Sequence, residues 1–232
     1  MRYAVIFSLL GLGLCVLAAQ RGGWAYVLLW PGVSALVVAA GYGGLGARVF
    51  GKRRGGGFAP WAIVLHLPYL LVTLAIWQFI RFAVPERAAD EVAPGVFVGR
   101  RPYAGEIPSS VRWVVDVTAE FWPARGVRVG RSYACHPTLD AHVVDDRAFA
   151  GSVREVASLD GDILIHCAQG HGRSAALAAG LLIARGFAAD VEEAERMLVA
   201  ARPGIRLKPG QRALVGRVAP VLRAAREAAQ SA

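Results

Sequence analysis

The pattern of apolar and charged positions divides the chain into two parts of different character. Seven basic residues and no acidic one interrupt the first 82 residues, leaving uncharged stretches of 18, 26 and 26 residues. Each stretch is near or above the ~20 residues that a helix needs to cross a ~30 Å hydrocarbon core. The pattern predicts three membrane spans, at about 3–20, 24–43 and 60–80. Together these spans would form a transmembrane anchor over residues 1–82.

The first span has an alternative interpretation as a cleaved signal peptide. Met1-Arg2 is a basic start, and Ala18-Ala19 offers small residues near a possible cleavage site. The length of the apolar run and the two spans that follow favour a membrane helix. Within the third span, His66 and Gln78 could mark a polar pathway, or they could make helix contacts or lie at the membrane interface. Helix contacts are favoured because no acidic residue accompanies them.

Composition agrees with a membrane protein and argues against a nucleic-acid partner. The chain is 55% hydrophobic and 19% charged, with mean hydropathy +0.42, which is too apolar for a single water-soluble domain. The net charge is +9. The basic excess lies among the apolar runs, where it would meet anionic lipid, and residues 83–232 are nearly balanced. Three cysteines are too few for a disulfide scaffold.

After a linker at about 83–93, residues 94–232 alternate short apolar runs with helical patterns. The runs predict strands at 95–99, 113–117, 133–135 and 162–166, and the helical patterns predict helices at 146–158, 174–184, 191–201 and 212–229. Strands separated by helices, with a strand buried on both faces, indicate an α/β fold in which helices flank a central sheet.

The most informative segment runs from 166 to 174, HCAQGHGRS, between the predicted buried strand and the next helix. A loop this short can point successive backbone N–H groups inward, and the helix adds its positive N-terminal end, so that the loop can hold a tetrahedral dianion. The loop residues are Ala168, Gln169, Gly170, His171 and Gly172. The same donors would lower the pKa of Cys167, and Arg173 can bind two phosphoryl oxygens. This chemistry needs no metal and no other cofactor.

The segment matches the HCxxGxxRS signature, and the chain resembles the cysteine-dependent protein-tyrosine and dual-specificity phosphatases, as a membrane-anchored member of bacterial type. The resemblance covers roughly residues 93–215. It implies that Cys167 attacks phosphorus to form a phosphocysteine while Arg173 holds the equatorial oxygens. It further implies that Ser174 helps the thiolate to leave and that His166 braces the loop.

The family also uses an aspartic acid that protonates the leaving oxygen. Asp140, 27 residues before Cys167, follows a strand-like stretch and is the predicted general acid. Asp145 and Asp146 are alternatives, although capping of the next helix is the favoured role for them. The segment 201–211 resembles the one that closes the pocket in related enzymes. Gln211 in this segment could position the hydrolytic water or serve only in packing.

Other site chemistries are less consistent with the residues. A zinc cluster of Cys135, His136, His166, Cys167 and His171 has poor spacing, because adjacent Cys-His pairs do not easily point at one ion. A rhodanese-like sulfurtransferase would leave the predicted acid without a role. A membrane-tethered module that captures phosphorylated ligands without turnover usually lacks the nucleophile or the arginine, and both are present here.

The substrate class and the membrane side are open at the level of sequence. His171 and Gly172 resemble the lipid- and inositol-phosphate-directed branch of the family, and tethering to a bilayer favours phospholipids, with phosphotyrosine protein as the alternative. The basic cluster at 52–54 would place the C-terminal domain outside. A low-pKa thiol favours the reducing cytoplasm, so we expect a multi-pass membrane protein with a cytoplasmic domain. Cys135 could form a protective disulfide with Cys167, but a core role is favoured.

Overall fold

The computed structural model describes residues 2–140 and 142–230. The chain packs as two compact units. The first contains the described residues of 1–86, 119–122 and 137–142, and the second contains 87–118, 123–136 and 143–232 as far as they are described. Two short segments from the C-terminal part of the sequence therefore pack with the N-terminal helices.

The first unit is built from apolar helices, as the uncharged stretches predict. The α-helices are α1 (Arg2–Arg21), α2 (Leu29–Ala40) and α3 (Pro60–Ala83). A 3₁₀ helix at Gly23–Leu28 precedes α2, and an irregular turn at Gly41–Leu45 and a 3₁₀ helix at Gly46–Phe50 follow it. Within the described chain, three stretches are long and apolar enough to cross a membrane, namely Arg2–Arg21, Gly23–Phe50 and Pro60–Ala83.

Glycines allow α1 and α2 to pack closely. A side chain on Gly11 would come within 2.7 Å of Leu36, and one on Gly32 within 2.8 Å of the Cys15 sulfur. Small residues are typical of such close helix crossings in membranes. The crossing therefore explains why these two positions lack side chains.

His66 in α3 is fully buried and joins separate segments of the first unit. Its ring nitrogens lie 3.2 Å from Ser34 Oγ and 3.1 Å from the Val49 carbonyl oxygen. Both ring nitrogens are thus satisfied within the unit, as buried polar groups require. These contacts agree with the interpretation of His66 as a residue that joins helices.

The second unit contains a five-stranded sheet in the order β1-β2-β5-β3-β4. The strands are β1 (Ala89–Ala93), β2 (Val96–Arg100), β3 (Val111–Thr118), β4 (Ser132–Thr138) and β5 (Asp162–Cys167). The central strand β5 is parallel to both β2 and β3, whereas β1 is antiparallel to β2. Strand β1 lies within the stretch predicted as linker, because Val92 and Ala93 are apolar enough to join the core.

Helices cover one face of the sheet. They are α4 (Asp146–Ala157), α5 (Arg173–Arg185), α6 (Val191–Ala201) and α7 (Pro209–Gln230). Alternate β5 residues Ile163, Ile165 and Cys167 belong to the core on this face, whereas Leu164 belongs to the core on the other. The predicted α/β class, with helices packed on a central sheet and three apolar helices before it, is confirmed.

Helix α5 is the central element of this layer. It contacts β2, β3 and β5 as well as α4, α6 and α7, and every residue from Arg173 to Ile183 is buried. Its small residues permit this, since a side chain on Gly180 would come within 2.7 Å of Val153 in α4. The packing on all sides fixes the N-terminal end of α5 next to the end of β5, where the signature loop lies.

Candidate functional site

The signature loop joins β5 directly to α5. Cys167 is the last residue of β5 and Arg173 is the first of α5, so residues 168–172 form the whole connection. The Cys167 sulfur accepts hydrogen bonds from the Gly170 N–H at 3.1 Å and from the Ser174 hydroxyl at 3.4 Å. The structure therefore brings Cys167, Arg173 and Ser174 together, with donors directed at the sulfur.

The environment of Cys167 favours the thiolate. Burial raises the pKa of the Cys167 thiol, but the Arg173 guanidinium and the hydrogen bonds from Ser174 and Gly170 outweigh burial, so the pKa is lowered overall. Both Arg173 and Ser174 are themselves buried, at 5% and 0% exposure, which limits screening by water. A thiolate is the nucleophilic form of cysteine.

The loop backbone depends on glycine at position 170. Gly170 has φ +82°, a conformation that side chains disfavour, and a side chain there would collide with the backbone of Gly99 and Arg100 at the end of β2. Both conditions are met only by glycine. The close approach holds the loop against the neighbouring strand, and the Arg101 N–H adds a hydrogen bond of 3.2 Å to the Ala168 carbonyl.

Arg202 supports the loop from outside, a role that sequence analysis missed. The Arg202 side chain is 4% exposed, and its guanidinium donates to the Gln169 carbonyl at 3.1 Å. It also donates to the Asp90 carboxylate at 2.7 Å and to the Arg87 carbonyl at 2.9 Å. One buried cation thus ties the loop to β1. In the sequence, Arg202 is followed by a proline directly after a helical pattern, and this indicates the role only weakly.

His166 points to the opposite side of β5 from Cys167, as strand geometry requires. Its Nδ1 lies 3.3 Å from the Cys167 carbonyl oxygen. On β3, Asp116 is paired in register with His166 and is buried. The Tyr133 hydroxyl donates to Asp116 at 2.6 Å, and the Thr118 N–H and hydroxyl donate to it at 2.7 Å each. The strand carrying the nucleophile is therefore bordered by a polar network.

This network was also missed at the level of sequence. Burial, together with the neighbouring Asp116 carboxylate, raises the pKa of Tyr133 well above its usual value, so the phenol keeps its proton and remains a donor. The available signal was Asp116 itself, a charged residue within the apolar run of β3. Such a residue requires partners when buried.

Gln211 lies beside the loop, and His171 is one of the loop residues. Gln211 is buried, and its amide atoms would be 3.5 and 3.6 Å from a side chain on Gly172. Its Oε1 also accepts a hydrogen bond of 3.1 Å from the Lys208 N–H. The His171 ring packs against Gly204, where an added side chain would come within 2.8 Å of Nε2. The glutamine therefore lies next to Gly172 in the loop, and its role in positioning water stays a prediction.

The three candidate acids differ in their surroundings. Asp145 accepts a hydrogen bond from the Ala148 N–H at 2.9 Å and caps α4. Asp146 forms a bidentate pair with Arg217, at 2.7 and 2.9 Å. The favoured capping role is therefore confirmed for Asp145, and Asp146 has a structural partner. Asp140 is exposed, directly after β4, and belongs to the first unit.

The remaining cysteine and histidine candidates show no metal-binding arrangement. Within residues 2–140 and 142–230, no group of three or more His, Cys, Asp or Glu side chains could hold a metal ion. Cys135 is buried in β4 at 4% exposure, and both Cys135 and Cys167 are free thiols. The residues of the alternative zinc cluster are thus not gathered around one point.

Comparison with known proteins identifies the fold. No protein-family model and no curated protein matches the chain. Among solved structures, PTPMT1 superposes with a TM-score of 0.51 at 20% identity, covering 61% of this chain and 99% of that one. PTPMT1 in complex with PI(5)P gives 0.51 at 19% identity, covering 60% and 98%. DUSP15 gives 0.51 at 16% identity, covering 62% and 97%. The chain is thus similar in fold to dual-specificity phosphatases.

We expect the Cys167 thiol to ionise at lower pH than an ordinary thiol. The ultraviolet absorbance of the thiolate is measured as a function of pH in the wild type, and the curve of Cys167→Ser is subtracted from it. The difference should rise at a pH below about 8.5, the usual pKa of a thiol. Because the Ser174 hydroxyl stabilises the thiolate, Ser174→Ala should move this rise to higher pH. Cys15 and Cys135 are present in both proteins and cancel. If the difference absorbance rises only at the pKa of an ordinary thiol, the expectation is contradicted.

Proposed function

We propose that this protein is a membrane-anchored phosphatase that hydrolyses phosphomonoesters through a phosphocysteine intermediate. The observation that carries the proposal is the Cys167 sulfur, which accepts hydrogen bonds from Gly170 and Ser174 beside a buried Arg173. Such an arrangement both activates a nucleophile and supplies donors for the charge of a phosphoryl group. The similarity of fold to dual-specificity phosphatases supports the same conclusion.

In the first proposed step, the Cys167 thiolate attacks phosphorus, so that an S–P bond forms as the bond to the leaving oxygen breaks. Asp140, protonated, donates its proton to that oxygen. Arg173 donates to two phosphoryl oxygens in a planar fork, and the loop N–H groups bind the rest of the charge. His166 would brace the loop from the other side of β5. The leaving alcohol departs neutral.

In the second step, water attacks phosphorus and the S–P bond breaks, releasing inorganic phosphate. The Asp140 carboxylate, now a base, takes the proton of the water and returns to its initial state. Ser174 donates a hydrogen bond to the sulfur and so stabilises the departing thiolate. Gln211, which lies beside Gly172, would orient the water. Over the two steps Asp140 gives up one proton and regains one, so the proposed cycle needs no metal or other cofactor.

The anchor and its orientation are part of the proposal. The three apolar stretches have the length and composition of membrane spans, which supports an integral multi-pass protein. A stabilised thiolate is readily oxidised, and the reducing cytoplasm protects it. We therefore place the phosphatase unit in the cytoplasm, against the direction that the basic cluster at 52–54 suggests.

The proposed substrate is a phosphorylated lipid, with phosphoprotein as the alternative. A catalytic unit tethered to a bilayer meets lipid head groups at high effective concentration. One solved structure of similar fold, PTPMT1, is a complex with PI(5)P. His171, a residue of the loop, would face a polyanionic head group bound there. A second candidate function, capture of a phosphorylated ligand without turnover, is less consistent with the presence of both Cys167 and Arg173.

We expect the full chain in detergent micelles to hydrolyse an aryl phosphate in the presence of chelator and to be inhibited by vanadate. Cys167→Ser should abolish phosphate release, because serine lacks a stabilised anion at neutral pH. Retention of activity in Cys167→Ser, or loss of activity on chelation, would overturn the mechanism. Stoichiometric binding of phosphorylated ligand by wild type without phosphate release would instead indicate the binding module.

Asp140→Asn should slow turnover roughly 10²–10⁴-fold while substrate binding is largely retained. The loss should be larger for phenyl phosphate, whose leaving group needs a proton, than for 4-nitrophenyl phosphate. Asp145→Ala is the matched control, since it should lose about 1 kcal/mol of stability as a missing helix cap and keep its turnover. If Asp145→Ala shows the leaving-group effect instead, the acid is misassigned.

Substrate preference can be measured in vesicles. The full chain reconstituted in phosphatidylcholine vesicles should release phosphate faster from embedded phosphoinositide or phosphatidylglycerophosphate than from a soluble phosphotyrosine peptide at equal total concentration. The expected ratio is roughly 10²-fold, within the range that tethering produces. A faster reaction with the peptide would favour the phosphoprotein alternative.

A further inference from the structure

The peptide unit between Gln169 and Gly170 makes hydrogen bonds on both of its sides. Its N–H, from Gly170, donates to the Cys167 sulfur at 3.1 Å, and its carbonyl, from Gln169, accepts from the Arg202 guanidinium at 3.1 Å. The peptide is trans and planar, so its N–H and its carbonyl point in opposite directions. A contact that holds the carbonyl on the outer side of the loop therefore keeps the N–H directed at the sulfur.

Two other loop carbonyls are held by the backbone of neighbouring segments. The Ala168 carbonyl accepts from the Arg101 N–H at 3.2 Å, and the His171 carbonyl accepts from the Arg206 N–H at 3.3 Å. A backbone donor is retained when the side chain is replaced. The Gln169 carbonyl differs from these two because its donor is a side chain, so a single substitution can remove the contact.

The backbone of Arg202 is fixed where α6 ends. Its N–H donates to the Leu198 carbonyl at 2.9 Å, and its carbonyl accepts from the Ile205 N–H at 2.9 Å. The Arg202 side chain is 4% exposed. Contacts with the protein, and not with water, therefore determine where its guanidinium lies.

Asp90 in β1 orients this guanidinium. The Asp90 carboxylate accepts from Arg202 Nη1 at 2.7 Å, and the Arg87 carbonyl accepts from the same nitrogen at 2.9 Å. The other nitrogen, Nη2, contacts Gln169. Because the guanidinium is planar and rigid, holding Nη1 on Asp90 also sets the direction of Nη2. The Asp90 side chain is 12% exposed, so water screens this ion pair less than one at the surface.

We propose that Asp90 and Arg202 are positioning residues that keep the Gly170 N–H directed at the Cys167 sulfur by clamping the carbonyl of the same peptide. The proposal rests on the proposed function, in which the loop binds a phosphoryl group and Cys167 attacks it. All of these residues belong to the second unit. If the peptide rotated, an acceptor would replace a donor in a site that must hold negative charge.

The test uses the full chain in detergent micelles and the variant Arg202→Lys. Lysine keeps a positive charge for Asp90 but lacks the planar fork, so it cannot hold Asp90 and Gln169 with two separate nitrogens. The dissociation constant for vanadate, measured by calorimetry, should rise about 10-fold, as expected for the loss of one hydrogen bond. The thiolate absorbance, again with Cys167→Ser subtracted in the same background, should rise at higher pH than in the wild type.

Asp90→Asn is a second variant, which leaves Arg202 in place. Asparagine retains the shape of aspartate without its charge, so the guanidinium is held less firmly. We expect a smaller loss of vanadate affinity in the same direction, and this variant also tests the proposal if Arg202→Lys does not fold. In the Arg202→Lys background, Asp90→Asn should cause no further loss, because Asp90 acts only through Arg202. A further loss in that background would overturn the role of Asp90.

Arg185→Lys is the matched control. The Arg185 guanidinium also donates to a carbonyl, that of Leu159 at 2.8 Å, but Arg185 is the last residue of α5 whereas the loop meets the first. This variant should lower the melting temperature and leave both the vanadate affinity and the thiolate curve unchanged. If Arg185→Lys shifts them as Arg202→Lys does, the effect is general destabilisation and the positioning role is refuted.

Unchanged vanadate affinity and an unchanged thiolate curve in folded Arg202→Lys would likewise refute the positioning role while leaving the phosphatase proposal intact. Failure of the phosphatase proposal has a different signature, since Cys167→Ser in the same micelles would then retain its phosphate release. The thiolate curve needs neither turnover nor a bound anion, so it tests the clamp independently of the proposed function.

Discussion

The site depends on the opposition between burial and hydrogen bonding at one sulfur atom. Burial alone would keep Cys167 protonated and inert, yet Arg173, Ser174 and Gly170 reverse that effect and lower its pKa. The donors can do so only if they are held in place, because a donor that turned to water would leave the buried sulfur without compensation. Much of the second unit serves to hold them.

The rigidity comes from packing around one short loop. Residues Arg173 to Ile183 of α5 are all buried, so packing restrains the end of the helix that carries Arg173 and Ser174. Glycine at 170 allows the loop to touch β2, and Arg202 ties its carbonyl at Gln169 to β1. These contacts pre-organise the donors before a phosphate arrives, which is how an anion site avoids reorganisation during the reaction.

The N-terminal unit shows a second use of apolar packing. Its helices have the composition of membrane spans, yet the unit also buries Leu139 and Phe121 and partly buries Trp122, from two segments that follow strands of the sheet. A membrane anchor needs only length and hydrophobicity. The interrupted end of α2 and the buried His66 exceed that requirement. His66 contacts the Val49 carbonyl oxygen and the Phe50 ring, and these two residues share a buried apolar cluster with Leu139.

The α/β class, the apolar helices and the loop at 166–174 could be predicted from the order of residues, because each is a local property of periodicity, composition or a contiguous motif. It also indicated the capping role of Asp145, since a cap is defined by its own helix. The contacts of Arg202 with the loop, the polar network around Asp116 and the packing of Leu139 with the helices could not be predicted in this way. Those contacts join residues far apart in the chain, as Arg202 and Asp90 are, and spacing carries no information about which distant residues folding brings together. The strand at Ala89–Ala93 was missed for the same reason, because it gains its stability from β2 and the core.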